Sequence, residues 1–510
     1  MEHLAAVNKK TNPLVVRIGL VLFAYLAISA YVMNGITDLE LQEVAPYFLI
    51  AILIQIIPFV VRKEPEPFEP ACLSSIMTLL ALVPGLTTYV VNNTVQIRLL
   101  PQVTGRARIE LIQTVMIAYM IGTVSYLAGY YQTVGVKLRR FFPEISGGTW
   151  KRSRFWQVCF VGLALFVPAY AYFQSKVGVS ITDFTKLAAG KAVWREAQDG
   201  TGSLILRGTA LGFIPVVLII ASNFPKPKLG RLLLSLGLLA VMSALVMRIG
   251  QRGTTVYVLL NVLVLLHYLW RKIPLSVLAG LGFVMLVTMN LLGAYRTTGD
   301  SDFTASQQGP TANFDASTTL AEHEDERERI ATMAVVFHFF PDRKDYLLGE
   351  SWGPLLTTFI PRWLWPEKAW SFKWRETSIV RELVGAPMPV NYLGLLYANF
   401  SWGGVLVGMF TWGMFQRGLY EWLQKNAKDR NTVLLYSFFV IYVGPTLLQI
   451  SGSGLGLCLP LYVALRYMRK LPRKQRPGLT ARPARVGLLA AAAPAPSVAP
   501  AGSPSPTAAE

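Results

Sequence analysis

Apolar residues in this chain fall in long uninterrupted runs, and polar residues collect between them. A helix needs roughly 20 consecutive apolar residues to cross the hydrocarbon core of a bilayer. Stretches of that kind cover 14–33, 44–61, 71–91, 111–131, 155–174, 204–221, 229–247, 254–270, 273–293, 393–415, 432–450 and 453–468. Pro84, Pro168, Pro215 and Pro445 fall inside them, where a proline kinks a membrane helix without ending it. The first run is too long for a cleaved signal peptide and is followed by further spans. The pattern predicts an all-α polytopic integral membrane protein of about 12 transmembrane helices with one large periplasmic loop. About nine spans form an N-terminal bundle over 1–293, the loop covers 294–392, and about three spans follow over 393–468. The tail, 469–510, turns Ala/Pro-rich and reads as disordered and cytoplasmic.

Composition narrows the class further. Of 510 residues, 53% are hydrophobic and only 15% charged, against about 25% charged in soluble domains. That excludes a soluble globular enzyme and a coiled coil. The net charge of +19 would suggest nucleic acid in a soluble protein. Here lysine and arginine gather in alternate connections: Arg62 and Lys63, Lys137 to Arg154, Lys226 to Arg231, Arg271 and Lys272, Arg417 to Arg430, and the tail. Most of the charge is therefore a topology signal, placing both termini in the cytoplasm, with no nucleic-acid partner. Cys72, Cys159 and Cys458 lie within apolar runs, with no spacing suited to a metal cluster or a disulfide framework.

Chemistry then belongs to the outer loop. It is mildly acidic and concentrates Trp352, Trp363, Trp365, Trp370 and Trp374. Indoles favour the membrane interface, and their faces also stack on sugars. Residues 320–340 read as a helix, charged in its first half, apolar in its second, and stopped by Pro341. It carries His323 and His338, whereas His3 and His267 fall on the cytoplasmic side. A general base at the outer face is therefore His338, His323 or Glu322, with Glu324 also available. Outer-face arginines run against the charge rule and call for a reason. Arg248 and Arg252 bracket a short turn, and Arg296 follows the ninth span. Arg98, Arg106 and Arg108 lie after the third span, and Arg207 begins the sixth. The guanidinium fork fits phosphate oxygens, so a group of such residues could hold a pyrophosphate. No GxxxxGK[ST] loop and no HExxH appears, and the spans hold almost no Asp or Glu, which argues against an ATP-driven or ion-coupled carrier.

Two stretches resemble a known family. Thr358 to Lys368, TFIPRWLWPEK, resembles the iPRxlWPxKP signature of the bacterial oligosaccharide repeat-unit polymerases, the Wzy-like O-antigen and exopolysaccharide polymerases. Pro389 to Gly404, PVNYLGLLYANFSWGG, is similar to that family's GELYxNFGwlG, with Leu395 where Glu is common and Ser401 where Gly is common. The Arg252-Gly253 turn resembles its SRG element, and Arg296 its arginine before the large loop. The resemblance spans about 248–417 and implies a GT-C-like membrane glycosyltransferase of the bacterial inner membrane. Its substrate would be undecaprenyl-pyrophosphate-linked oligosaccharide in the membrane lipid, with no cofactor and no metal, and with a polysaccharide chain-length regulator as a partner to consider. On this reading Arg252, Arg296, Arg248 and Arg362 stabilise the departing pyrophosphate, and Trp363, Trp365 and Trp370 position sugar rings. An O-antigen ligase, a lipid-linked glycan transporter and a non-enzymatic scaffold are the competing readings.

Overall fold

The computed structural model describes residues 13–61, 66–92, 97, 99–145, 147, 149–177, 211–224, 227–248, 252–274, 276–278, 280–282, 324–352, 364–365, 379–380, 382–384, 390–443 and 452–470. Among them the chain is helical, with one isolated β-bridge between Trp150 and Arg469 and no strand. The helices are α1 (Pro13–Gly35), α2 (Leu39–Val61), α3 (Pro70–Asn92), α4 (Gly105–Tyr130), α5 (Thr133–Leu138), α6 (Arg152–Val177) and α7 (Phe213–Ser222). They continue with α8 (Leu229–Arg248), α9 (Arg252–Leu269), α10 (Glu324–Phe339), α11 (Tyr392–Lys425), α12 (Arg430–Phe438) and α13 (Gly452–Met468). Five of these, α2, α4, α6, α8 and α11, are long and apolar enough to cross a membrane by length and composition. The chain is thus a helical membrane protein. The ninth sequence span, 273–293, lies mostly outside the described residues.

Two apolar cores hold the helices. One gathers α2, α3, α4, the apolar half of α10 and the start of α11. The other gathers α6 to α9, the end of α11, α12 and α13. α11 therefore serves both cores, and it departs from the sequence expectation. The run 393–415 reads as one span, but the backbone leaves the helical region at Phe400 and at Ser401, where φ is 57° and ψ is −154°. Residues on either side then meet across the break. The Tyr392 and Trp412 rings lie 6.1 Å apart, and a side chain at Gly404 or Gly408 would strike Leu396. The segment is a helical hairpin with a first arm over 392–399 and a second over 402–425. The sequence holds the reason in Gly404-Val405-Leu406-Val407-Gly408, a small-x3-small pattern that lets two helices approach closely.

Glycine also seats the second arm on α4. A Cβ at Gly129 would overlap the Phe410 carbonyl, and one at Gly413 would overlap the backbone of Tyr126 and Tyr130. Beside this contact runs a stripe of buried polar residues on α4, Tyr119, Thr123, Tyr126 and Tyr130, at helical spacing. The Tyr119 hydroxyl accepts from Asn391 at 3.0 Å, and Thr123 from Gln55 of α2 at 2.8 Å. Tyr126 donates to Gln416, and Tyr130 to Glu69 at 2.8 Å. Without water to compete, hydrogen bonds between membrane helices contribute about 0.6–1.7 kcal/mol each, enough to fix the register of the hairpin on α4.

The ends of the bundle are pinned by charge. Glu66, before α3, accepts from Lys272 at 2.9 Å, Tyr420 at 2.7 Å, Tyr268 at 3.3 Å and Gln424 at 3.2 Å. Burial pushes its carboxyl up, but the hydrogen bonds from Lys272 and Tyr420, with the Lys272 charge, outweigh this and hold it below the usual glutamate value. At the starts of α2 and α4, Glu40 pairs with Arg108, and Glu43 with Arg106. Connections that the charge pattern assigns to one side thus meet one another: 66 with 272, 147 and 150 with 429–431, and 154 with 467.

Gly129→Ala and Gly413→Ala should each force the hairpin off α4 and cost about 1–3 kcal/mol, read as a lower thermal midpoint in detergent. Gly237→Ala, where a Cβ meets open space, should leave the midpoint unchanged or slightly raised. For Glu66 the folded carboxyl titrates below the unfolded one, whose value is about 4.3. Its contribution is complete above that pH and disappears as pH falls through the folded value. Glu66→Gln should therefore lower the midpoint at pH 7 and lose less on acidification than the unsubstituted protein.

Candidate functional site

The helix expected over 320–340 is present as α10, Glu324–Phe339. Its apolar half, Ile330 to Val336, is buried in the first core. Ile330 reaches Gly85 of α3, and Met333 lies against Gly394 of the hairpin. The loop expectation therefore needs one refinement: part of the segment 294–392 is bundle interior. Asn391 and Leu393, at the mouth of the hairpin, lie against Tyr119 and Gly122. These are 14 and 17 residues into α4, about 21 and 26 Å along its axis.

Such an inward dip needs partners for its backbone. The Asn391 side chain accepts from the Gly394 N–H at 2.8 Å, capping the first arm. At the other end, the Ala398 and Asn399 carbonyls accept from the Leu347 and Leu348 N–H groups at 2.9 and 3.1 Å. The Asn399 side chain accepts from the Gly349 N–H at 2.9 Å and donates to Ser351 at 2.7 Å. Tyr346 donates to the Ser401 hydroxyl at 3.0 Å. The stretch after α10 is thereby tied onto the hairpin tip. Aromatic rings fill the join: Phe337 packs on Tyr397 at 4.0 Å and on Trp402 at 5.5 Å, and Trp352 on Phe400 at 5.5 Å.

His338 stands on the last turn of α10, half-buried, its ring edge-on to Phe339 at 5.1 Å. Arg343 lies over the same Phe339 ring at 5.3 Å. Burial, and then the Arg343 charge, hold the His338 imidazole below the usual histidine value, against the pull of Asp342. A neutral imidazole at pH 7 can take up a proton, as a general base requires.

Arg248 ends α8 and Arg252 begins α9, and residues 249–251 between them lie outside the described residues. The side chains of both lie outside the described residues, as do Arg296, Arg362, His323, Glu322, Trp363 and Trp370. Trp365 is described and exposed. Two of the other arginines singled out in the sequence have a plain structural duty. Arg106 is held by Glu43 and Glu110, and Arg108 by Glu40, so they tie α4 to α2. Leu395, where the resembled motif commonly has Glu, is buried and apolar, so no carboxylate is available at that position. Sequence reading passed over Tyr346, Asn399 and Ser401. Asn399 and Ser401 stand in the quoted 389–404 stretch, but their bond to 346–351 has no sequence signal. No group of three or more His, Cys, Asp or Glu suited to a metal ion occurs among the described residues.

No protein-family model, no curated protein and no solved structure gives a significant match to this chain.

His338 yields a pH test. If it is the base, the acid limb of any turnover should lie below the ordinary histidine pKa, about 6.5. Arg343→Ala removes a charge that lowers that pKa and should move the limb to higher pH. An unmoved limb would exclude His338 from the proton transfer.

Proposed function

We propose that this chain is a GT-C-like polymerase of about 12 spans in the bacterial inner membrane. It would join undecaprenyl-pyrophosphate-linked oligosaccharide repeat units at the periplasmic face. The observation that carries the reading is the pairing of two sequence stretches that resemble that family, 358–368 and 389–404, with the form of the second. It is a capped hairpin that meets the helix bearing the outer-face histidine. This supports chemistry at one end of the bundle, on a lipid-borne substrate.

The reaction needs little beyond charge and a base. An acceptor hydroxyl attacks the first sugar of the growing chain at its anomeric carbon. The C–O bond to the pyrophosphate breaks, its electrons leave with the undecaprenyl pyrophosphate, and the hydroxyl proton passes to the base. Developing negative charge on the leaving group calls for fixed cations, assigned to Arg252 and Arg296, with Arg248 and Arg362 beside them. His338 is the first candidate for the proton, with His323 and Glu322 as alternates. Trp363, Trp365 and Trp370 supply ring faces to the sugars.

The test is a purified, reconstituted protein given a synthetic undecaprenyl-pyrophosphate oligosaccharide and no nucleotide sugar. A product ladder with regular spacing is expected, and Arg252→Ala with Arg296→Ala should suppress it by about a hundredfold or more. Transfer of a single glycan to an unrelated acceptor, without a ladder, would instead identify a ligase. No transfer from an active-lipid preparation would remove the enzymatic reading.

A further inference from the structure

The hairpin tip holds features that packing alone does not use. Ser401 and Leu348 are the two non-glycine residues with positive φ among the described residues, at 57° and 47°, and both belong to this tip. A side chain in that region costs about 1–3 kcal/mol and persists only where the surroundings enforce it. Here the enforcing bonds are those from Leu347, Leu348, Gly349 and Tyr346 onto 398–401.

Near the strained turn lie donors without an acceptor among the described residues. Ser401 accepts from Tyr346, which leaves its own hydroxyl hydrogen for another partner. The indole N–H groups of Trp352 and Trp402 have no acceptor in the protein among the described residues, and neither is buried away from solvent. Phe400, next to Ser401 in the tip, is 40% exposed and packs on Trp352. Ring faces, two indole donors and a serine hydroxyl together suit a pyranose ring, which has apolar C–H faces and a rim of hydroxyl acceptors. Phe337, the neighbour of His338 in sequence, packs on Trp402, so the last turn of α10 carries the candidate base and braces the platform.

We propose that Ser401, Trp352, Trp402 and Phe400 form a subsite for the non-reducing-end sugar of the acceptor glycan, with Tyr346 as the residue that orients Ser401. The inference rests on the polymerase reading for its ligand. It differs from the Trp363 to Trp370 platform in its residues and in depending on a strained turn. Ser401→Gly is the informative variant because glycine tolerates the backbone angle and removes the hydroxymethyl side chain.

The probe is the free oligosaccharide released by mild acid from the host's lipid-linked repeat unit. It is titrated into the full-length protein in nanodiscs and followed by tryptophan fluorescence. Ser401→Gly should weaken binding about tenfold while leaving the thermal midpoint unchanged or higher. Trp352→Phe and Trp402→Phe should each remove part of the quench. In the ladder assay, Ser401→Gly should raise KM for the acceptor more than it lowers kcat, and Tyr346→Phe should act in the same direction.

Equal binding by the unsubstituted protein and by Ser401→Gly, with the ladder intact, overturns the subsite and spares the polymerase reading. Binding lost in Ser401→Gly, with no ladder from any form of the protein, keeps the subsite and sinks the polymerase. Strong quenching of Trp352 and Trp402 by brominated acyl chains, with no response to the glycan, identifies an interfacial anchor and overturns the proposal.

Discussion

Everything at the candidate site depends on one close approach, the second arm of α11 lying backbone-to-backbone on α4 at Gly129 and Gly413. In a bilayer the lipid tails compete with side chains for apolar contact on equal terms, so helices associate through close packing and a few hydrogen bonds. Removing the Cβ atoms at the crossing supplies the first, and the Tyr126–Gln416 and Tyr119–Asn391 bonds supply the second. Once that arm is seated, the first arm has one place left, in the space between α4 and α10. Its direction follows from the Gly404 and Gly408 contacts with Leu396.

A hairpin inside the bundle then creates an obligation. Its broken backbone leaves carbonyls and N–H groups without helical partners. The segment 346–351 meets this obligation, which explains why residues after α10 are structural and not a free loop. The same bonds hold Ser401 in its unfavourable angle. The cap, the strain and the presented donors are therefore one arrangement.

The helices were legible because hydropathy records which side chains tolerate lipid, and α10 was legible from its switch from charged to apolar residues before Pro341. The hairpin was not, since a reversal of direction inside an apolar run changes no side chain's hydropathy. Only the Gly404-x3-Gly408 spacing hinted at it. Arg106 and Arg108 stand in the sequence as arginines without an evident duty for a related reason. A lone sequence displays a guanidinium without its partner, and Glu40 and Glu43 lie about 65 residues upstream. Charge pairing between the connections was foreseeable in kind, because residues on one side of a bilayer can meet only each other.

The angle at 401 also bears on the resemblance itself. A position at φ 57° favours glycine, and glycine is what the resembled motif commonly carries there. Ser401 therefore holds an angle that glycine would hold at lower cost. Leu395 acts in the opposite direction. Where the resembled motif commonly carries glutamate, Leu395 is a buried apolar side chain, so on the proposed reading the proton acceptor is another group. The half-buried, neutral-leaning imidazole of His338 stands on the helix that packs against the same arm. Under the proposed function, proton transfer therefore falls to that imidazole and not to a carboxylate at 395.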